Sequence, residues 1–194
     1  MVDEDPYSLP NGTCLRNKIG VTDSATLSAT EARIVSIRDV ELARETLPGE
    51  YNLQHYQEFH RHLFQDIYAW AGELRKVDVS KGTSRFAHWR YLSEQTSAIL
   101  AELVDENLLI GRNRTSFVSR LAHYYSELNA LHPFREGNGR TLRAFLRQVS
   151  AVAGWRLDWS ALDPEENVQA SRHSLLAAET SELVRVLEPV VVHM

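Results

Sequence analysis

The run His132-Pro133-Phe134-Arg135-Glu136-Gly137-Asn138-Gly139-Arg140, with Arg143 one helical turn further on, holds most of the parts that phosphate chemistry needs. Imidazole titrates near neutrality, so His132 can take the proton of an attacking hydroxyl. The Glu136 carboxylate is a hard oxygen ligand, suited to a magnesium ion that already bridges two phosphates. Gly137 and Gly139 let backbone N–H groups come close to an anion and form a nest around it. Arg140, Arg143 and Arg147 are spaced i, i+3, i+7, which sets them on one face of a helix beside that turn. Together these parts fit phosphoryl-type transfer, with a base for the acceptor and with cations and N–H groups for charge on phosphorus and leaving group. No Ser, Thr or Cys lies within 132–140, which favours direct transfer to an acceptor hydroxyl over a covalent enzyme intermediate.

Each part alone has a blander reading. A histidine before a proline is usually a cap or a core residue, a loop glutamate is usually solvated, and arginines at i, i+3 commonly form a wet helix face. Gly137-x-Gly139 fails the dinucleotide-binding pattern because position 142 is Leu142; no strand precedes it, and the Walker pattern is absent. The combination points to chemistry.

The loop sits between two predicted helices. Residues 113–131 carry Phe117, Leu121, Tyr124, Leu128 and Leu131 at helical spacing, and Pro133 ends that helix by pushing its predecessor away from helical geometry. The next helix starts near Gly139 and runs to Gly154, burying Leu142, Phe145, Leu146, Val149 and Val152. His132 thus stands at one helix C-terminus, and Gly137-Asn138-Gly139 at the N-terminus of another, where unpaired N–H groups and the macrodipole attract anions. Further helices are expected from a cap near Thr22 or Asp23 to about Leu47, over 53–70 (Leu53, Tyr56, Phe59, Leu63, Ile67, Trp70), and over 89–104, 163–172 and 173–190. Residues 75–88 turn at Lys81-Gly82-Thr83 and alternate apolar with polar, which predicts a short β-hairpin. A hairpin that short must lean on the helices or await a partner strand. The opening segment is loop-like, broken by Pro6, Pro10, Asn11-Gly12 and Gly20. The expected fold class is an all-α bundle with one small β-hairpin, a single domain over 1–194 with a helical extension (about 1–50), a core (53–155) and C-terminal helices (160–190).

Composition sets bounds on function. Apolar and charged fractions of 43% and 24% are those of a soluble globular protein. A net charge of −5 argues against a dedicated nucleic-acid binder. Residues 132–147 nevertheless hold a local excess of three positive charges, which suits a small anionic ligand. Cys14 is the only cysteine, excluding an internal disulfide and a cysteine-rich zinc site and fitting a reducing compartment. The acidic start lacks a signal-peptide layout and no apolar run reaches membrane-span length, so a cytoplasmic location is expected. His55, His60 and His62 do not share one side of a helix and read as packing or surface residues. The four tryptophans, Trp70, Trp89, Trp155 and Trp159, read as core and edge packing. Lys81 and Arg85 read as edge-solubilising charges or contacts for an acidic target.

The string His132-x-Phe134-x-Glu136-Gly137-Asn138-Gly139-Arg140-x-x-Arg143 resembles the signature of the Fic family at every specified position. The stretch from Phe59 through Trp70-Ala71-Gly72 to Arg75, and Phe86-Ala87-His88, are similar to that family too, so the resemblance spans about 53–155. It implies a Fic-fold helical bundle and adenylylation, the movement of AMP from ATP onto a protein hydroxyl with release of pyrophosphate. By that resemblance His132 would be the base, Phe134 a buried anchor and Glu136 the ligand of Mg2+. Gly137, Asn138 and Gly139 would form the anion-binding turn, and Arg140 and Arg143 would contact the triphosphate. The hairpin would be the flap that aligns a target's backbone by strand-like pairing. Adenine specificity rests on the resemblance alone. In the related Doc group a lysine replaces the glycine at the place of Gly139 and the γ-phosphate is transferred; Gly139 makes that alternative the weaker one. Another nucleotide donor, or a catalytically idle scaffold, completes the alternatives.

Many Fic proteins carry an inhibitory Ser/Thr-x-x-x-Glu-Gly/Asn helix. Here Glu precedes Gly or Asn only at Glu106, Glu136 and Glu166, and the residues four earlier are Glu102, His132 and Leu162, so none qualifies. The resemblance is therefore to the bacterial toxin class, in which a small antitoxin would bring an inhibitory glutamate to Arg143. Bacterial type II topoisomerase subunits are the targets expected of that class, with no membrane or direct nucleic-acid partner.

Overall fold

In the computed structural model, which describes residues 5–10, 12–82 and 84–194, the chain forms α1 (Ser24–Arg44), α2 (Leu53–Phe64), β1 (Ser80–Lys81), β2 (Ser84–Arg85), α3 (Leu92–Asp105), α4 (Arg114–Leu131), α5 (Asn138–Val152), β3 (Trp155–Leu157), α6 (Pro164–Ala177), α7 (Ser181–Leu187) and β4 (Val191–His193). The acidic start at 1–4, the Asn11 breaker and Thr83 of the hairpin turn lie outside the described residues. Short polar side chains set several helix starts. Asp23 accepts from the Thr26 N–H at 2.7 Å, Asn52 from His55 at 3.0 Å, Asn113 from Ser116 at 3.0 Å, and Asp163 from Glu165 and Glu166 at 2.9 Å. Each satisfies an N–H group that a helix start leaves unpaired.

Helix α5 is the centre of the packing and contacts α1, α2, α4 and β3. Its Phe145 is wholly buried, and Tyr56, Phe59 and Tyr51 approach it with ring centroids 5.0, 5.5 and 6.0 Å away. The predicted stripes hold: Leu142, Phe145, Leu146 and Val149 of α5, and Phe117, Leu121, Tyr124, Leu128 and Leu131 of α4, are all buried. Val152, expected inside, is 42% exposed because α5 ends there.

Several boundaries differ from expectation. Helix α2 ends at Phe64, not near Trp70; Ile67, Tyr68 and Trp70 are buried in turns instead. The Ile67 carbonyl accepts from the distant Lys18 N–H at 2.7 Å, so a tertiary partner replaces a helical one. Helix α1 stops at Arg44, before Leu47. The predicted division at 172/173 is absent: α6 continues to Ala177 and the chain turns at Ala178, left-handed at φ 55°. A second two-stranded sheet, pairing Trp155 with His193 and Leu157 with Val191, was not expected; three-residue strands are too short to show alternation. The hairpin is shorter than 75–88, pairing only Ser80 with Arg85 and Lys81 with Ser84. Its flanks bond elsewhere. Arg75 N–H donates to the Pro133 carbonyl at 2.9 Å and Ala87 N–H to the Ala130 carbonyl at 3.2 Å.

Truncating the hub residue, Phe145→Ala, should lower the unfolding free energy by about 3–5 kcal/mol, read as a shift in the denaturant midpoint at constant slope.

Candidate active site

Helix α4 stops at Leu131 because His132 is left-handed, φ 47°, a conformation uncommon outside glycine. The buried Arg75 stabilises this reversal. Its guanidinium donates to the carbonyls of His132 (2.8 Å), Leu131 (3.1 Å) and Val77 (2.7 Å), and also to that of Ala87. One side chain therefore ties both flanks of the hairpin to the start of the loop.

The loop is held from below by His60, wholly buried and stacked on Phe134 with centroids 4.0 Å apart. Its Nδ1 accepts from the Gly72 N–H at 2.8 Å, which assigns the proton to Nε2, the donor to the Glu136 carbonyl at 3.1 Å. Both nitrogens are used by the neutral ring, and burial pushes its pKa down to about 3. Phe134 is the expected buried anchor. The Asn138 side chain is a brace: its amide oxygen accepts from the Phe134 N–H and its NH2 donates to the Phe134 carbonyl, both at 2.8 Å. Only its backbone is left to meet a ligand. Gly137 has φ +79°, and a Cβ there would stand 2.1 Å from a Phe64 ring carbon, so both backbone and space demand glycine.

Helix α5 lacks a side-chain cap. Its first helical bond is donated by Thr141 to the Gly137 carbonyl at 3.0 Å, leaving the N–H groups of Asn138, Gly139 and Arg140 for an anion. Two separate cavities border the loop, one of about 470 Å³ that reaches Glu136 and Arg140 and one of about 530 Å³ that also takes in Asn138 and Gly139. The larger space, ≈ 530 Å³, is lined by His132, Glu136, Gly137, Asn138, Gly139, Arg140 and Arg143, by Lys81, Gly82 and Phe86 of the hairpin, and by Asn167 and Ser171 of α6. That volume is in the range that holds small-molecule ligands. A Cβ on Gly139 would lie 3.3 Å from an Arg143 nitrogen, so glycine keeps that guanidinium's place open.

His132 lies face to face with Phe86, centroids 3.8 Å apart. Its Nδ1 is 3.2 Å from the Asn129 carbonyl, which fixes Nδ1 as the donor and leaves the Nε2 lone pair unused among the described residues. Burial, the larger cause, pushes the ring's pKa down to about 4. It is therefore an unprotonated base at neutral pH, as a proton acceptor must be.

The arginines do not act as a group. Arg147 turns away to Asp39 of α1 at 2.8 Å, so the expectation of three arginines beside the turn is corrected to two. Arg135 pairs with Asp5 at 2.6 Å. Arg140 pairs with Glu31 at 2.5 Å and with Glu136 at 3.3 Å. Arg143 has no ion-pair partner among the described residues and lines the cavity. Glu136 also accepts from the Gly137 N–H at 2.8 Å. His55 and His62 serve packing as read: His55 bonds to the Leu47 carbonyl at 2.9 Å and His62 to Glu41 at 3.1 Å. Sequence reading missed the roles of Arg75, His60, Glu31 and the α6 residues. Phe86 and Arg75 lay inside the stretches that resembled the Fic family, the one signal that marked them.

Two outcomes follow. Gly137→Ala should destabilise the fold by more than about 2 kcal/mol and abolish nucleotide binding, checked by denaturant melts and calorimetry. Ring-nitrogen NMR of His132 should show a neutral imidazole from pH 7 down to about 5, protonating as pH falls through about 4. Because the unfolded ring protonates near 6.5 and the folded one lower, this histidine's contribution to stability is complete above about 6.5 and is lost as pH falls towards 4. A folded-state midpoint between 6 and 7 would contradict the half-buried, Asn129-bonded geometry.

The geometry has counterparts. The sequence model of the Fic/DOC family matches residues 50–150, which contain the hairpin, the loop and α4, and α5 almost to its end. Protein adenylyltransferase VbhT of Bartonella schoenbuchensis is 41% identical over 170 residues, 88% of this chain, which spans 36% of that longer protein. The probable protein adenylyltransferase Fic of Escherichia coli K12 is 35% identical over 177 residues, covering 91% of this chain and 88% of its own. Among solved structures, BepC of Bartonella tribocorum with bound AMPPNP superposes with a TM-score of 0.94 at 22% identity over 100% of both chains, a likeness of fold. The match across loop and hairpin, and relatives aligned along nearly this whole chain, make it a member of the Fic/DOC family.

Proposed function

We propose that this chain is a magnesium- and ATP-dependent protein adenylyltransferase. The observation that carries the reading is that His132, whose Nε2 is unprotonated and unbonded among the described residues, lines the same cavity as the uncapped start of α5 and as Arg143, which has no ion-pair partner among those residues. In the proposed step a target hydroxyl oxygen bonds to the α-phosphorus, the α–β bridging bond breaks, pyrophosphate leaves, and the hydroxyl proton passes to His132. The N–H groups of Asn138, Gly139 and Arg140 meet phosphate oxygens, and Arg140 and Arg143 take up charge towards the leaving group. The names of VbhT and of the Escherichia coli relative support the reaction class.

Magnesium, when bound, would offset the charge of the phosphates. Glu136 fits as its protein ligand: its carboxylate borders the cavity, and no cluster of three His, Cys, Asp or Glu exists among the described residues. One carboxylate with phosphate oxygens and water is the donor set magnesium prefers. The β1–β2 edge, with Lys81 and Gly82 at the cavity, would align the target segment by strand addition. Arg143, without a glutamate partner among the described residues, supports regulation by a separate small antitoxin whose glutamate would occupy it. A bacterial type II topoisomerase subunit as target and a cytoplasmic location belong to the same proposal. No helix among the described residues is long and apolar enough to cross a membrane.

Incubating the protein and a bacterial lysate with ATP labelled at the α- or the γ-phosphate tests this. Label should pass to protein from the α-position only and vanish in His132→Ala. Transfer from the γ-position would replace adenylylation with kinase chemistry, which the glycine at 139 disfavours, and no transfer from any nucleotide would leave a binding scaffold.

A further inference from the structure

Glu31 lies on α1, outside the segment matched by the Fic/DOC family model, yet its side chain is 8% exposed and reaches the loop. One carboxylate oxygen lies 2.5 Å from Arg140 Nη2 and the other accepts from the Tyr68 hydroxyl. Arg140 is further placed by the Phe64 ring, with its guanidinium carbon 4.8 Å from the centroid. The second carboxylate on Arg140 is Glu136, at 3.3 Å. The two contacts differ in kind. Glu136 is nearly half exposed and, among the described residues, its carboxylate holds only the neighbouring Gly137 N–H besides Arg140, so it turns away at little cost. Glu31 is buried, with both oxygens engaged, and losing its partner would leave a charge inside the protein.

We infer that Glu31 is a positioning residue for Arg140, holding the guanidinium at the phosphate site independently of Glu136 and so leaving Glu136 free to turn to magnesium. The inference rests on the proposed adenylyltransferase reading for its purpose but not for its geometry. A guanidinium has five N–H donors in a fixed fork. Glu31 occupies part of one side, which leaves the remainder for phosphate oxygens. Without Glu31, the one carboxylate left to Arg140 would be Glu136, and the cation and the metal would compete for it.

The test reads Arg140 itself in the nucleotide-free protein, through hydrogen exchange of its guanidinium Nη–H signal, the group that both glutamates contact, assigned by its loss in Arg140→Lys. The signal should stay protected in the parent and in Glu136→Gln, and exchange at least about tenfold faster in Glu31→Gln, since exchange follows local opening. Tyr68→Phe, which leaves the charge but frees one oxygen, should fall between and serves if Glu31→Gln does not fold. In turnover, Glu31→Gln should raise the half-saturating magnesium concentration about threefold, the scale of a partly exposed ion pair, with the rate restored at high magnesium. Equal loss of protection in Glu136→Gln and Glu31→Gln would overturn the inference. So would faster AMP transfer in Glu31→Gln at every magnesium concentration, which would make Glu31 a brake. If the parent transfers no AMP, the adenylyltransferase reading fails, while the exchange comparison still decides the role of Glu31.

Discussion

The buried guanidinium of Arg75 is the constraint on which the site depends. It is 1% exposed, and its one carboxylate neighbour among the described residues, Asp78, is 3.7 Å away and itself exposed. A buried charge is costly unless its donors are satisfied. Here four backbone carbonyls do so. Two of them, at Leu131 and His132, are the orphan acceptors at the C-terminus of α4, where the macrodipole is negative. The planar fork thus offsets its own desolvation, caps a helix that ends on a left-handed histidine, and grips both flanks of the hairpin. His132, the loop and the hairpin share one anchor, so none of them can shift alone.

Charge is managed in the same economical way. The arginine cluster of 132–147 appears in sequence as a basic island, yet acids from remote positions neutralise three of its members: Asp5 on Arg135, Glu31 on Arg140 and Asp39 on Arg147. Arg143 is the member left without an ion pair among the described residues. The two histidines next to the loop are neutral through burial, His60 below it and His132 at its start. A neutral imidazole beside Arg143 and a helix N-terminus without a side-chain cap leaves positive potential in the cavity without adding a second cation at position 132.

Much of the fold was legible because helical periodicity is a local property. The stripes of α4 and α5 follow from apolar spacing, and the placing of the loop between helix ends follows from Pro133 and the two glycines. Where the reading strayed, a tertiary partner had taken over a local preference. Lys18 claimed the carbonyl of Ile67 and helped end α2 early; Arg75 and the α4 terminus claimed the flanks of the hairpin; β4 supplied a partner to a three-residue strand 36 residues back from Val191 to Trp155. Such bonds join positions that no window of sequence compares.

By itself, the sequence determined the chemistry on offer, since side-chain types at 132–143 fix which atoms can accept a proton, hold a metal or face a phosphate, and helix ends fix where free N–H groups fall. The tertiary structure decided which of those groups remain available. It spent the Asn138 amide on Phe134, turned Arg147 to Asp39, lowered the affinity of His132 for protons by burying it against Phe86, and brought Glu31 onto Arg140. The physical reason is that reactivity depends on solvation and on partners, and both are set by residues far away along the chain.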